Sequence, residues 1–197
     1  ESTYITALVL ALIISPPASF LDLHFLSLVF WASTWAMASK YLFAIGNKHL
    51  FNPAAFGVAI TAFFLVEPAT WWIGTSIMIP VVIMGGFLIT RKIRRFDLVL
   101  SFLGVAALAI MIPALVHGVG ITGSLMRAFV YVPTVFLATV MLTEPMTTPP
   151  TRARRILYGA GVGLLFLPGV HVFSLYATPE LALLAGNLFS YLISPKR

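Results

Sequence analysis

Hydrophobic residues fill most of the chain in long runs, which short polar, proline-rich or basic junctions separate. A bilayer core about 30 Å thick is crossed by roughly 20 apolar helical residues, and fewer suffice where a helix is broken or re-entrant. By that measure the pattern predicts seven or eight helical segments. They are approximately 3–15, 21–45, 52–66, 70–90, 97–116, 125–143, 156–174 and 180–194.

Composition supports a membrane environment for these segments. Hydrophobic residues make up 60% of the 197 positions, charged residues 9%, and the mean hydropathy is +1.01. A soluble domain of this size has too much surface to hide so many apolar side chains from water. We therefore expect an all-α fold, a polytopic integral membrane helical bundle with about eight segments and with broken or re-entrant helices. It forms a single transmembrane domain, 1–197, in the inner (plasma) membrane.

The net charge of +6 comes from short basic clusters between the apolar runs. This distribution is not that of a nucleic-acid-binding face, so no nucleic-acid partner is expected. Cytoplasmic loops collect Lys and Arg, and eight spans with both termini cytoplasmic leave Arg127 as the one basic residue outside. The residues then assigned to the inner side are Lys40, Lys48, Arg91, Lys92, Arg94, Arg95, Arg152, Arg154, Arg155, Lys196 and Arg197.

Redox groups that need cysteine are excluded, because the chain has none. The histidines do not predict stacked haems, since His24, His117 and His171 fall toward the outer side and His49 toward the inner side. Solvated interfacial histidines are the more common case. No metal site is predicted in the chain, although the outer histidines leave open an exit point where a metal ion or other acceptor is reduced.

Two polar stretches, 46–57 and 142–151, interrupt the apolar pattern, and both belong to the predicted inner side. The first contains Asn52-Pro53, which suits a helix that begins inside the membrane: proline needs no N–H partner there, and asparagine caps the free amides. Such broken ends can jointly line a binding pocket, and the alternative is that both stretches are ordinary caps and loops. The candidate pocket residues are Asn47, Lys48, His49, Asn52, Pro53, Ala54, Thr143, Glu144, Pro145, Thr147 and Thr148.

The same stretches resemble a known family. LFNPAAFG preceded by Gly-Asn-Lys-His, then MLTEPMTTPPT, RRILYGAGVGLLF and ELALLAGNLFSYLI, are similar to the NqrB/RnfD family, membrane components of the sodium-pumping NADH:quinone oxidoreductase and of the related Rnf electron-transport complex. The matches span 46–57 and 138–194, in the order that the family has. The resemblance implies a membrane scaffold of inverted-repeat character that holds flavin and passes electrons from a cytoplasmic donor to a membrane or outer acceptor.

Carried over by residue, the resemblance implies that Asn52, Pro53, Ala54, Thr143, Glu144, Pro145 and Thr148 contact or shape the flavin site. The family's Asp-Gly-x-(S/T)-Gly-Ala-Thr attachment sequence is absent from the chain. We therefore expect FMN or riboflavin held by non-covalent contacts. Lys48 and the arginines between 152 and 155 would suit a phosphate.

Acidic residues near the predicted spans are Asp22, Glu67, Asp97 and Glu144, and Glu144 is the one that lies in a motif. A carboxylate inside a membrane is by default a functional candidate. Glu144 is the predicted catalytic residue, which hydrogen-bonds the flavin ring or supplies the proton that accompanies reduction. The alternatives are a cap for the following helix and a pair with Arg152.

Glycines at 159, 161 and 163 begin an apolar helix and follow no strand, so they predict close helix packing instead of a dinucleotide fingerprint. Trp31 and Trp35 share a helix face at a spacing of four, and either a neighbouring helix or a cofactor is open as their partner.

Transmembrane electron transfer through flavin is the leading functional hypothesis. The chain stops directly after an apolar run, at Lys196-Arg197, so we expect a cytoplasmic reductase domain or subunit beyond 197, with FAD and NAD(P)H bound there. A homodimer is one candidate assembly. Two other classes stay open: a channel or secondary transporter that uses the same broken helices, and an assembly subunit without cofactor.

Overall fold

The computed structural model describes residues 2–17, 19, 21–46, 48–66, 68–130, 133–166, 171–172, 175–176 and 178–194. Within these ranges the chain is mostly helical, and strands occur as two antiparallel hairpins of two-residue strands, which confirms the all-α prediction. The helices are α1 (Ser2–Ile13), α2 (Leu23–Leu42), α3 (Pro53–Leu65), α4 (Ile79–Ile93), α5 (Phe96–Val116), α6 (Ile121–Val130), α7 (Thr134–Phe136), α8 (Arg152–Leu165) and α9 (Pro179–Ile193). The strands are β1 (Ala44–Ile45), β2 (Lys48–His49), β3 (His171–Val172) and β4 (Leu175–Tyr176); a 3₁₀ turn covers Trp72–Gly74, and a π-helical turn, Leu137–Met141, continues α7.

Each predicted segment contains a helix, but three segments were wrong in extent. The segment 70–90 begins with a 3₁₀ turn that ends at the extended Thr75, and it becomes helical at Ile79, with a proline in the first turn of α4. The segment 125–143 is two pieces, α6 and then α7, with Pro133 capping the second piece. The segment 156–174 starts earlier and ends at Leu165, with β3 following. Its residues 167–170 and 173–174 lie outside the described residues.

Two close helix pairs, α2 with α3 and α5 with α8, form most of the interior, and α9 packs against both α3 and α8. Small residues permit the contacts: a Cβ on Gly57 would lie 2.3 Å from the Ala32 carbonyl oxygen. A Cβ on Gly159 would lie 2.7 Å from the Leu98 carbonyl oxygen. The close-packing prediction for the glycines is confirmed at 159 and 163, whereas a Cβ on Gly161 would meet nothing within 4 Å.

Polar contacts gather several helix ends at one end of the molecule, which we call the basic end. The Lys40 ammonium near the end of α2 donates to Ser2 at the start of α1, and Arg155 in the first turn of α8 pairs with Asp97 in the first turn of α5. Arg154 also donates to Ser194 after α9. The basic end therefore carries the described members of the clusters assigned to the inner side; Lys196 and Arg197 lie outside the described residues.

Aromatic contacts mark the opposite end. The Trp71 backbone N–H donates to the Ile13 carbonyl at the end of α1, and the Trp71 indole donates to Glu180 at the start of α9. The Trp72 indole donates to the Ala11 carbonyl. The helices α1 and α9 thus run in opposite directions between the two ends.

Much of the helix surface is apolar. In the described part of the chain, Phe96–Val116 is long and apolar enough to cross a membrane by itself, and the bent pair Ile121–Phe129 and Thr134–Met141 is a second candidate if it forms one span. Shorter apolar helices are Ser2–Ile13, Pro53–Leu65 and Pro179–Ile193. Large exposed side chains on α4 and α5 include Val81, Met84, Phe87, Leu88, Leu100, Leu108, Ile112 and Leu115.

Candidate functional site

The helix α3 begins inside the protein, as the Asn-Pro pair predicts. Asn52 is the N-cap in an extended conformation, and its side-chain oxygen accepts from the Ala55 amide at 3.0 Å. Pro53 follows in the first turn, where its missing N–H costs no hydrogen bond. Asn52, Pro53 and Ala54 are all buried, so this helix start does not face open solvent.

A chain of buried amide and hydroxyl groups holds the α3 start in place. The Asn52 backbone N–H donates to the Asn187 side-chain oxygen at 2.7 Å. The Asn187 side-chain NH₂ donates to the Tyr158 hydroxyl at 2.8 Å. Asn187 and Tyr158 are 1% and 0% exposed. If one of these hydrogen bonds were lost, water could not reach the site to replace the missing partner.

The second polar stretch follows the π-helical turn, where the Leu142 amide donates five residues back to Leu137. The Thr143 hydroxyl donates to the Thr139 carbonyl at 2.7 Å, and this bond occupies a carbonyl near the end of the helix. The Asn52 side-chain NH₂ reaches the Met141 carbonyl at 3.4 Å. The two polar stretches therefore meet, as the sequence predicted.

Glu144 is held by a residue of the first stretch. His49 Nε2 lies 2.8 Å from Glu144 Oε1, and the two side chains are 8% and 23% exposed. Among the described residues, the buried Glu144 Oε2 has no hydrogen-bond partner. The alternatives of a cap and an Arg152 pair were wrong: Thr151 is the N-cap of α8, and His49 is the partner that Glu144 has.

A short hairpin and an aromatic cluster set the position of His49. β1 and β2 pair with Ala44 opposite His49, and Gly46 in their turn has φ 59°, a left-handed conformation that glycine adopts without strain. Phe51 stacks on Phe56 of α3 with ring centroids 5.8 Å apart, and Phe43 contacts both rings. The hairpin is thereby attached to the first turn of α3 and brings His49 to Glu144.

A cavity of about 540 Å³ lies where the stretches meet. Six predicted residues line it: Asn52, Pro53, Ala54, Thr143, Glu144 and Pro145. Its other walls come from α1, from α4 and from the residues around the π-helical turn, and they are mostly apolar. These residues are Ser2, Ile5, Thr6, Val9, Ile89, Ile93, Val140, Met141 and Met146.

The remaining predicted residues have other positions. His49 contacts the cavity through Glu144, and Thr147 is buried with its carbonyl accepting from the Ser190 hydroxyl at 2.8 Å. Thr148 is buried beside them, and Lys48 is exposed on the hairpin. None of Thr147, Thr148 and Lys48 is among the cavity-lining residues. Asn47 lies outside the described residues, as does Glu67.

The arginines do not occupy the phosphate-binding position that we expected. Arg155 Nε donates to Asp97 at 2.8 Å, and Arg155 also donates to the Pro150 carbonyl. Arg154 donates to the Ser194 hydroxyl. Neither arginine lines the cavity, because the contacts with Asp97 and Ser194 hold them toward the start of α5 and the end of α9. Burial and the neighbouring Arg155 lower the pKa of Arg95, which Asp97 partly opposes.

Sequence reasoning missed four polar residues of functional interest. Asn187 lies in the Ala-Gly-Asn-Leu-Phe string that carried part of the resemblance, and that string was the signal that could have found it. Tyr158 and Lys40 had no comparable pattern around them. Glu180 is 2% exposed and accepts from the Trp71 indole, and it could have been found as a further carboxylate at the edge of an apolar run.

Trp31 and Trp35 pack against α3. Their rings stack 6.4 Å apart, and Trp35 stacks on Phe64 at 6.3 Å. A groove of about 280 Å³ lies beside these rings, with Thr61 and Leu65 also in its wall. The neighbouring helix is thus one partner of this tryptophan face.

Comparisons with known proteins give no match. No protein-family model matches the chain, and neither a curated protein nor a solved structure matches it.

Proposed function

We propose that the chain is an integral membrane flavoprotein that passes electrons from a cytoplasmic reductant to an acceptor in the membrane or on its outer side. The observation that carries the proposal is the cavity between Asn52 and Glu144, where a broken helix start, a proline-rich turn and a half-buried carboxylate meet. The resemblance of the same two stretches to a family of flavin-carrying membrane proteins gives the ligand class.

The surface supports the membrane part of the proposal. Apolar side chains such as Met84, Phe87 and Leu108 are more than half exposed, a pattern that costs free energy in water and none in lipid. The basic clusters gather at one end, where the positive-inside rule assigns the cytoplasm. Helices shorter than a full span, such as α3, are tolerated in a bilayer where protein surrounds their polar ends, and Asn52 and Asn187 satisfy this condition.

The cavity fits a flavin in size and in chemistry. Its volume of about 540 Å³ falls inside the range of roughly 300–1,000 Å³ that is typical of small-molecule sites. Apolar walls suit the planar ring, and Glu144, which lines the cavity and has one oxygen without a partner among the described residues, would accept from a ring N–H once its carboxylate turns toward the ligand. A buried acceptor left without a donor costs about 1–3 kcal/mol, so a ligand that supplies the donor is favoured.

Bound flavin would supply reversible uptake of electrons and protons. The chain's own residues have three tasks: the apolar walls exclude water, Asn52 and its partners keep the α3 start in position, and Glu144 exchanges a proton with the ring edge. His49 holds the carboxylate in position through Oε1. A reductase domain or subunit with FAD and NAD(P)H would dock at the basic end, near the cavity.

The cavity lies toward the basic end, and a bilayer core is about 30 Å thick. Transfer all the way across therefore needs at least one further redox centre, in this chain, in a partner or in a second copy of the chain.

Purification in detergent, followed by a visible absorption spectrum and quantitative flavin extraction, tests the proposal. We expect blue-light absorbance that reductant bleaches, with about one flavin per chain for the cavity between Asn52 and Glu144. A folded, colourless protein that takes up no added flavin would refute it. Binding of a solute by that colourless protein would favour the channel or transporter alternative.

A further inference from the structure

We propose that the Lys40 ammonium binds the phosphate of the bound flavin, so that the cavity selects FMN over riboflavin. This inference rests on the proposed function, because it concerns the ligand of the same cavity. It assigns to Lys40 a role in specificity that Lys48 and the arginines of α8 were expected to have.

Lys40 lies one hydrogen bond from the cavity wall. Its ammonium donates to the Ser2 carbonyl at 3.0 Å and to the Ser2 hydroxyl at 3.1 Å, and Ser2 lines the cavity. An ammonium has three N–H donors, so one remains for a ligand group at the Ser2 edge. The Ser2 hydroxyl is a further hydrogen-bonding group at the same place.

The wall near Ser2 is the open edge of the cavity. Ile5 beside it is 62% exposed and Ile89 of α4 is 40% exposed, whereas Asn52 and Ala54 at the other side are 6% and 2% exposed. A ring seated against Asn52 and Ala54 would direct its side chain toward the open edge. The phosphate at the end of the FMN side chain would then meet Lys40.

Three other basic side chains of the basic end are less suited to this role. Arg155 is paired with Asp97 at 2.6 Å, and Arg154 donates to Ser194. Neither lysine lines the cavity, but Lys40 is bonded to the lining residue Ser2, whereas no such bond connects Lys48, exposed on the hairpin, to the cavity among the described residues. Glu144 lines the same cavity, so a ligand there has a carboxylate in the wall and an ammonium bonded to Ser2 at the open edge.

Lys40 has a competing structural role, since its bonds to Ser2 tie α1 to α2. The two roles predict different results for two ligands. Loss of the contact between α1 and α2 should weaken the binding of FMN and of riboflavin equally. Loss of a phosphate contact should weaken the binding of FMN alone.

The test compares FMN and riboflavin binding to the flavin-depleted full chain in detergent, by quenching of flavin fluorescence, for wild type and for Lys40→Gln, Lys40→Arg and Lys48→Gln. We expect wild type to bind FMN about 10- to 100-fold more tightly than riboflavin, as one hydrogen bond between charged groups provides. Lys40→Gln should remove this preference and leave the riboflavin affinity unchanged, which also shows that the variant folds. Lys40→Arg should keep the preference, and so should the matched control Lys48→Gln.

The inference would be overturned if wild type bound the two flavins with equal affinity, or if Lys40→Gln lost affinity for both flavins to the same extent. Either result would still be consistent with a flavin site in the cavity. Failure of wild type to bind either flavin would instead refute the proposed function. Added salt offers a second readout, because screening should reduce the FMN preference and not the riboflavin affinity.

Discussion

His49 Nε2 and Glu144 Oε1 lie 2.8 Å apart although 95 positions separate them in the sequence. This contact joins the hairpin before α3 to the turn after the π-helical segment. It leaves the second Glu144 oxygen buried and without a partner among the described residues. The pair therefore orients one carboxylate oxygen, and under the proposed function the other oxygen accepts from the flavin.

Replacement of Glu144 by Gln should keep the flavin bound and slow its reduction. The amide keeps the size of the side chain and can turn its oxygen toward the ring N–H and its NH₂ toward His49 Nε2, but it cannot exchange a proton. General acid–base catalysis typically contributes about 10²–10⁴-fold, and we expect a loss in this range in stopped-flow reduction. Asp22→Asn is the matched control, because Asp22 caps the far end of α2 and asparagine caps equally well. An unchanged rate in Glu144→Gln would remove Glu144 from the proton path.

Replacement of Gly159 by Ala should destabilise the protein much more than replacement of Gly161 by Ala. A Cβ at 159 would lie 2.7 Å from the Leu98 carbonyl oxygen, whereas a Cβ at 161 would meet nothing within 4 Å. Overpacking typically costs about 1–3 kcal/mol, so Gly159→Ala should lower the melting temperature in detergent. Gly161→Ala should leave it equal or slightly higher, since alanine favours the helix. Equal melting temperatures would contradict the close α5–α8 contact.

Replacement of Asn187 by Leu should destabilise the α3 start. The change leaves the Asn52 amide and the Tyr158 hydroxyl without their Asn187 partner. Each buried group left unpaired costs about 1–3 kcal/mol, so we expect a lower melting temperature together with reduced flavin occupancy. The neighbouring Leu188→Ala is the control, because Leu188 is 45% exposed. A variant with normal stability and normal flavin occupancy would show that the hydrogen bonds of Asn187 with Asn52 and Tyr158 are dispensable.

The absence of cysteine permits a direct test of orientation by single introduced cysteines. Arg152→Cys lies at the basic end, and Thr122→Cys lies beyond α5, a helix of 21 residues that starts at that end. At about 1.5 Å per residue, α5 places the two positions roughly 30 Å apart. An impermeant thiol reagent should label Thr122→Cys in intact cells and Arg152→Cys in inverted vesicles. Labelling of both from one side would contradict the spanning arrangement.

Much of the fold was predictable, because local patterns determine it. The Asn52-Pro53 pair contains the complete signal for a capped helix start, and the glycines at 159 and 163 mark a face that can approach a neighbour closely. Trp71 shows the limit of such patterns. Its backbone is left-handed, and its amide donates to the Ile13 carbonyl at the end of α1, a contact that no neighbouring residue indicates.

The sequence predicted which two stretches form the candidate site, but it did not predict which residues contact each other there. Glu144 and His49 were both named, yet their pairing depends on the packing of segments far apart in sequence. Arg155 fits a phosphate as well as it fits a carboxylate, and the nearness of Asp97 in the folded chain decides between them. Lys40 was grouped with the basic residues that lie at the basic end, but its contact with Ser2 arises from the return of α2 toward the start of α1.

An experimental structure of the full chain purified with FMN tests the central claim most directly. The account predicts a planar three-ring density in the cavity, between Ala54 of α3 and the Glu144 carboxylate. A lipid tail in that cavity, or a flavin seated instead in the groove beside Trp31 and Trp35, would contradict it.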